Sequence, residues 1–316
     1  MAQHPVSSHR HIRLERKRLI ILGLFLLLLY IVLPQLKAFH SSLSVIRHAQ
    51  LDWVLVGFCF AFGTYLAAAG VYYVLAQQPL RYGRSVLVQL ASTFANRLLP
   101  AGIGAIGVNY RYLRRMKHSS AQAAAVVAIN NTVGLVGHLL LLVVAALTST
   151  AISTNLKHHH YHIGFGVVIM VGIIVVIIFI LLIRWHRFRQ VIKNILISIK
   201  TYKLHRLKLL TAIALSIVLT SLYGLCLLAC THAIGLHLAV AQLFIILTLG
   251  VAGGTVAPTP GGLLGAEAGL VAGLVAYGVS GADALAVALL YRLLTYWLPL
   301  VFGGVAFIVA ERKQLI

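Results

Sequence analysis

Apolar runs separated by short basic linkers dominate the chain. Six of them are long enough to cross a bilayer as one helix of about 18 residues or more, at roughly 19–36, 52–76, 120–148, 163–183, 209–232 and 282–310. The first follows Arg10, Arg13, Arg16, Lys17 and Arg18 in the manner of a secretion signal. No small-residue cleavage site comes after it, so an uncleaved first span is predicted behind a basic tail at 1–18.

Two further apolar stretches do not read as simple spans. Residues 85–115 are interrupted by Leu99-Pro100-Ala101-Gly102-Ile103-Gly104. Residues 239–278 are interrupted by Ala257-Pro258-Thr259-Pro260-Gly261-Gly262. Proline removes a backbone donor and drives the residue before it out of the helical region, and glycine loosens the chain. Each stretch is therefore predicted to be two half-helices. The piece from Ser85 to Leu98 would be about 21 Å long, short of the roughly 30 Å hydrocarbon core.

The basic residues decide whether these stretches cross or return. With the N-terminus in the cytoplasm and both stretches folded as re-entrant hairpins, 21 Lys and Arg lie on the cytoplasmic side. Only Lys37, Arg47 and Lys157 lie outside, and Arg97 and Arg292 fall within the membrane. That asymmetry obeys the positive-inside rule, and a single crossing by the first stretch would spoil it. The hairpins then enter from opposite sides. The units around them, 52–148 and 209–310, run in opposite directions.

A shift of 160 residues aligns Pro100 with Pro260, Gly102 with Gly262, Ser120 with Ser280 and Ala124 with Ala284, with little other identity. Inverted repeats with paired broken helices are a transporter signature with a site near the midplane. Two unrelated kinked helices are the alternative. Between the units, 184–208 carries Trp185, Phe188, Ile192, Ile195, Ile199 and Tyr202 at helical spacing among basic residues. This is an amphipathic helix on the cytoplasmic leaflet, either a lipid-binding element or a plain linker. The expected fold is an all-α polytopic membrane protein of six full spans and two re-entrant hairpins arranged as inverted repeats in one domain, 1–316. Both termini are expected in the cytoplasm.

Composition narrows the class. The 316 residues are 60% hydrophobic and 10% charged, with mean hydropathy +0.96. Soluble domains carry about 25% charged residues, so soluble, disordered and disulfide-stapled readings are excluded. A net charge of +21 in a soluble protein would suggest nucleic acid. Here it sits in the linkers, where it serves topology and anionic headgroups instead. Cys59, Cys226 and Cys230 lie in apolar runs and imply no disulfide framework.

Charges inside a bilayer are expensive and mark sites. Arg97 stands just before the first break. Glu267 follows Pro260 by seven residues, and Arg292 is about ten residues into the last span. If the tips meet, these three converge, and the half-helices beginning after Gly102 and Gly262 add positive dipole ends. Two arginines and two helix N-termini suit a phosphate. The plainer alternative is that Glu267 and an arginine neutralise each other to hold a hairpin. Asn96, Asn130, Asn131 and His138 add uncharged polarity, which interhelical hydrogen bonding also explains. Asp52 and Asp283 stand at helix starts and are expected to cap them. The breaks are assigned to Pro100, Gly102, Gly104, Pro258, Pro260, Gly261 and Gly262.

Enzyme readings fail on missing partners. Gly278-Val279-Ser280-Gly281 matches an intramembrane serine-protease string, but no histidine follows His237 to activate the serine. No His-Glu-x-x-His or nucleotide-phosphate loop occurs. The run His158-His159-His160 lacks closed-site spacing and is taken as a solvated loop, so no metal or cofactor is expected.

The motif Asn96-Arg97-Leu98-Leu99-Pro100-Ala101-Gly102-Ile103-Gly104, then Arg111-Tyr112-Leu113-Arg114-Arg115, resembles the first motif of the lysylphosphatidylglycerol synthase/flippase transmembrane-domain family. Pro260-Gly261-Gly262-Leu263-Leu264-Gly265-Ala266-Glu267, then Leu289-Leu290-Tyr291-Arg292-Leu293, resembles its second. The resemblance runs in order from about residue 15 to the end, with Ala101 where a second glycine is common. It implies a flippase-like domain moving a lipid between leaflets of a bacterial-type inner membrane. The soluble aminoacyl-transfer domain of bifunctional members is expected to be absent. The expected ligand is an anionic or zwitterionic phospholipid. Arg97, Arg292, Glu267, Asn96 and Asn131 are expected at its headgroup, and no nucleic acid is expected. A homo-oligomer or a separately encoded lipid-modifying enzyme is the partner open to it. A membrane scaffold for such an enzyme and a small-solute transporter remain as alternatives.

Overall fold

In hydrocarbon every backbone N–H and C=O must find its partner within its own segment, so an apolar chain of this kind folds as helices. A computed structural model describes residues 46–99, 102–155, 206–257 and 259–316. Those residues contain helix and no strand. The order is α1 (Leu51–Leu75), α2 (Tyr82–Leu98), α3 (Ile103–Arg115), α4 (Ser120–Asn155), α5 (Arg206–Ala233), α6 (Val240–Val256), a 3-10 turn (Pro260–Gly262), α7 (Gly265–Ala276) and α8 (Gly281–Arg292). A π-turn (Leu293–Trp297) then runs straight into α9 (Leu298–Arg312).

Four helices among the described residues are long and apolar enough to cross a membrane: Leu51–Leu75, Ser120–Thr148, Arg206–Ala233 and Gly281–Arg312. They answer four of the six predicted spans. The spans at 19–36 and 163–183, the tail 1–18, most of 184–208, and the break residues Pro100, Ala101 and Pro258 lie outside the described residues. Large apolar side chains stay exposed on the outer faces of these helices, among them Phe62, Leu139, Val143, Leu210, Val301 and Ile308. In water such a surface would be a liability; against lipid it is the required one.

Both interrupted stretches double back. In the first, Gln89 Nε2 donates to Asn109 Oδ1 at 2.8 Å, and Ser85 meets Tyr112 hydroxyl to hydroxyl at 3.0 Å. A Cβ on Gly104 would collide with the Ala95 carbonyl. These pairs fix α2 and α3 as antiparallel. In the second, a Cβ on Gly253 would strike the Gly265 carbonyl, one on Gly269 the Leu249 carbonyl, and one on Gly273 would press on Ile246. Helices α6 and α7 therefore touch backbone to backbone, the small-residue packing by which helices associate without water to drive them. At 17 and 12 residues they are about 25 and 18 Å long, too short to span.

The base of the first hairpin is stapled by a residue that the sequence does not advertise. His118, 1% exposed, sits in the turn between α3 and α4. Its Nε2 accepts the backbone N–H of Gln77 and of Gln78, each at 3.2 Å, and its Nδ1 lies 3.1 Å from the Leu113 carbonyl. That pattern requires the neutral ring with the proton on Nδ1. Burial lowers the ring's pKa below the ordinary 6.5, against a smaller upward pull from contacts with the Leu113 and Met116 backbone.

Helices α1 and α5 form the central seam. Gly57 faces Ala229 and Cys226, Gly63 faces Leu222, and Gly70 faces Leu215, so the two run antiparallel. The Gln50 N–H at the head of α1 donates to the Ala233 carbonyl at the tail of α5, at 2.8 Å. The first hairpin springs from the C-terminal end of α1 and the second from that of α5, so they leave opposite ends of the seam. Each has its own core: Leu75, Val88, Tyr112 and Ala123 pack around one, and Cys230, Leu243, Leu274 and Val287 around the other. Across the halves α2 packs on α9, and α6 packs on α4.

Two helix starts depart from expectation or refine it. Asp52 lies in the first turn of α1, but the N-cap is Gln50 and makes no side-chain bond. Asp52 thus acts through the helix dipole rather than as a cap. At α8 the cap is Ser280 rather than Asp283: Ser280 Oγ accepts the Asp283 N–H at 3.2 Å and donates to Asp283 Oδ2 at 2.7 Å, with Asp283 in the first turn.

Candidate functional site

The centre of the site is the ring of Tyr296, which is 5% exposed. Two guanidinium groups from different halves of the chain lie over it. Arg97 Cζ is 5.0 Å from the ring centroid and Arg292 Cζ is 4.3 Å from it. Both are inside the roughly 6 Å reach of a cation–π contact. Tyr296 follows Arg292 by four residues, which puts both on one helix face.

Arg292 Nε donates to Glu267 Oε1 at 2.7 Å, with side chains 11% and 9% exposed. Arg292 Nη2 also reaches the Gly261 carbonyl at 3.3 Å. Glu267 occupies the first turn of α7, where the helix dipole favours a carboxylate. The tip that carries it needs unusual backbone: Gly261 and Gly262 have φ of 61° and 67°. Leu264 follows at φ 68°, in a region that side chains avoid. Helix α7 consequently begins at Gly265, two residues later than the start expected directly after Gly262. Gly102 (φ 77°) is the N-cap of α3, which starts at Ile103 as predicted.

Arg97 is held by a device in the last helix. Pro299 has no N–H to give the carbonyl four residues back, that of Thr295, and the π-turn at Leu293–Trp297 lies just upstream. The Thr295 carbonyl therefore faces out of the helix, and Arg97 Nη2 donates to it. Arg97 Nη1 donates to the Thr93 carbonyl of its own helix at 3.1 Å. Buried Tyr65 of α1 faces Arg97 and Thr93 as well.

Of the predicted residues, Arg97, Arg292 and Glu267 come together. Two cations and one carboxylate leave an excess positive charge in a dry setting. Arg97 Nε and Glu267 Oε2 are buried with no hydrogen-bond partner, so the centre has unused donor and acceptor capacity. Asn96 and Asn131 were expected at the same centre and instead line a separate cavity of about 400 Å³ between the first hairpin, α1 and α4. The reason is helical phase: Asn96 is one residue from Arg97 and points to another side of α2. His138 pairs with Thr248 across α4 and α6 at 3.3 Å, and Cys226 and Cys230 are fully buried packing residues. No cluster of three metal-ligating side chains occurs among the described residues.

Sequence reasoning missed Tyr296, Tyr65 and the Thr295–Pro299 pair. A proline inside a span, four residues past a threonine, was the available sign of an open carbonyl. Residues 20–303 match the family described as the lysylphosphatidylglycerol synthase TM region. No curated protein matches the chain.

Proposed function

The chain belongs to the family of the lysylphosphatidylglycerol synthase TM region, and from that premise we propose that it moves a phospholipid between leaflets. The observation that carries this is the shared centre: one arginine from each half, over one aromatic ring, with a single carboxylate and unsatisfied polar atoms beside it. A phosphodiester is tetrahedral, and its two non-bridging oxygens form a fork that accepts from the planar guanidinium donors. The excess cation attracts it, and the free carboxylate oxygen can hold the cationic end of a zwitterionic headgroup. The role is binding and passage rather than a chemical step.

The two halves serve as inverted repeats in this mechanism. The antiparallel seam, the hairpins leaving opposite ends of it, and the reciprocal packing of α2 on α9 and α6 on α4 support that reading. Rocking one half against the other opens the centre first to one leaflet and then to the other. The basic bias of the linkers favours an inner-membrane protein with both termini in the cytoplasm.

Reconstitution into vesicles with a labelled phospholipid tests the proposal. Wild-type protein is expected to exchange lipid between leaflets, and Glu267→Gln or Arg292→Ala to slow it at least tenfold, about 1.4 kcal/mol of lost interaction. Wild-type rates in both variants would remove the site. No exchange of any phospholipid by the wild type would leave a scaffold.

A further inference from the structure

Away from the charged centre, the cavity of about 400 Å³ is lined by Tyr72, Gln89, Asn96, Asn109, Asn130 and Asn131, with Gly102 at its rim. Its polar lining is five amides and one phenol. Among the described residues that line it there is no Lys, Arg, Asp or Glu.

Packing of the hairpin accounts for the Gln89–Asn109 pair but not for Asn96, Asn130 and Asn131. Residues 160 positions on, in the other half, are Leu249, Val256, Gly269, Leu290 and Tyr291. A hairpin and long helix of the same plan thus assemble without a single amide at the matching places. Nor do the amides satisfy one another. Gln89 and Asn109 share one bond at 2.8 Å, and Asn109 spends its N–H on the Ala105 carbonyl. Asn130 and Asn131 make only a long contact of 3.4 Å. The Asn96 Oδ1 atom is buried with no partner, and a buried unpaired amide oxygen costs about 1–3 kcal/mol. The first turn of α3 opens beside it without a side-chain cap, so its N–H groups add donors to the same wall.

We propose that this cavity is a second subsite, and that it takes an uncharged, hydroxyl-rich headgroup: a glycerol or a hexose. Amides present a donor and an acceptor side by side, which is what vicinal hydroxyls need, since each hydroxyl gives one hydrogen and accepts others. A charged group finds no counter-ion among the described lining residues, and an apolar one leaves the amides unpaired. The volume is within the range of small-ligand pockets, about 300–1,000 Å³. The inference deepens the translocation reading and rests on it for the lipid that carries the polyol.

The test offers the full-length chain in detergent an equimolar mixture of three lipids with identical tails. They are a glucosyl diacylglycerol, a phosphatidylglycerol and a phosphatidylethanolamine, and native mass spectrometry reads which is retained. At least one of the two hydroxyl-bearing lipids is expected about fivefold over phosphatidylethanolamine, the worth of one net neutral hydrogen bond. Which of them leads tells hexose from glycerol. Asn131→Leu and Asn96→Leu are each expected to bring the ratio to about one. Asn131 is exposed and the Asn96 oxygen bonds nothing, so neither change removes a bond that the fold needs. No preference in the wild type, or a preference that survives both substitutions, overturns the subsite. Retention is read without transfer between leaflets, so selective binding by a protein that moves no lipid would sink the translocation reading alone. Exchange without this selectivity would sink the subsite alone.

Discussion

Glu267→Gln removes one charge from the pair with Arg292 and leaves a group of nearly the same shape. The pair is close, at 2.7 Å, and its side chains are 9% and 11% exposed. Breaking a buried pair by removing one partner costs about 3–5 kcal/mol, against at most about 1 kcal/mol for an exposed one. Two features place this case at the low end. The amide still accepts a hydrogen bond from Nε, and Arg292 keeps the Gly261 carbonyl and the Tyr296 ring. The expected loss is about 3 kcal/mol, a fall in the unfolding midpoint on the order of 6–12 °C at roughly 2–4 °C per kcal/mol. Thermal unfolding in detergent measures it. The same scan on Glu267→Gln/Arg292→Met should recover most of the loss, because the second change removes the stranded cation. A single variant within 1 °C of wild type, or a double variant equal to the sum of the singles, would refute the claim that the two charges hold each other.

Three further outcomes follow from other contacts. Arg97→Ala should destabilise the protein by about 1–3 kcal/mol by stranding the Thr295 carbonyl, and adding Pro299→Ala should restore part of it by returning an N–H; the same thermal scan reads both. Gly253→Ala should cost about 1–3 kcal/mol or more, since its methyl would meet the Gly265 carbonyl across the hairpin, and loss of folded protein on size exclusion would report it. His118 is held neutral in the fold with its pKa lowered, so the unfolded chain binds the extra proton more readily and the staple's contribution is present above about pH 6.5 and lost as pH falls through the folded value. Protection of the Gln77 and Gln78 amides, measured against their intrinsic exchange rates, should fall at acid pH in the wild type, and a His118→Phe variant should lack it at every pH.

The hairpins were legible because proline and glycine act through the local backbone, which a sequence displays directly. The convergence of Arg97, Glu267 and Arg292 was legible for a related reason: a charge in an apolar run has few places to go, and opposed hairpin tips supply one. Tyr296 was not, since an aromatic residue in a span has many uses, and only the packing of α2 against α9 brings Arg97 over its ring. Which side of α2 Asn96 takes was not legible, because rotational phase is fixed by packing: it lines the amide cavity with Asn131 of α4, while Arg97 turns to the Tyr296 ring. His118 was invisible because its role depends on two peptide groups some forty residues away.

The bond from Arg97 to Thr295 joins residues 198 apart in the chain. On the ribosome the guanidinium is made and inserted long before the helix whose gap it fills. That helix is continuous, but Pro299 leaves one of its peptide oxygens without the usual N–H, and the donor lies in the earlier half. The late half thus takes one of its backbone partners from the early half, and that partnership completes only once the whole span has been made.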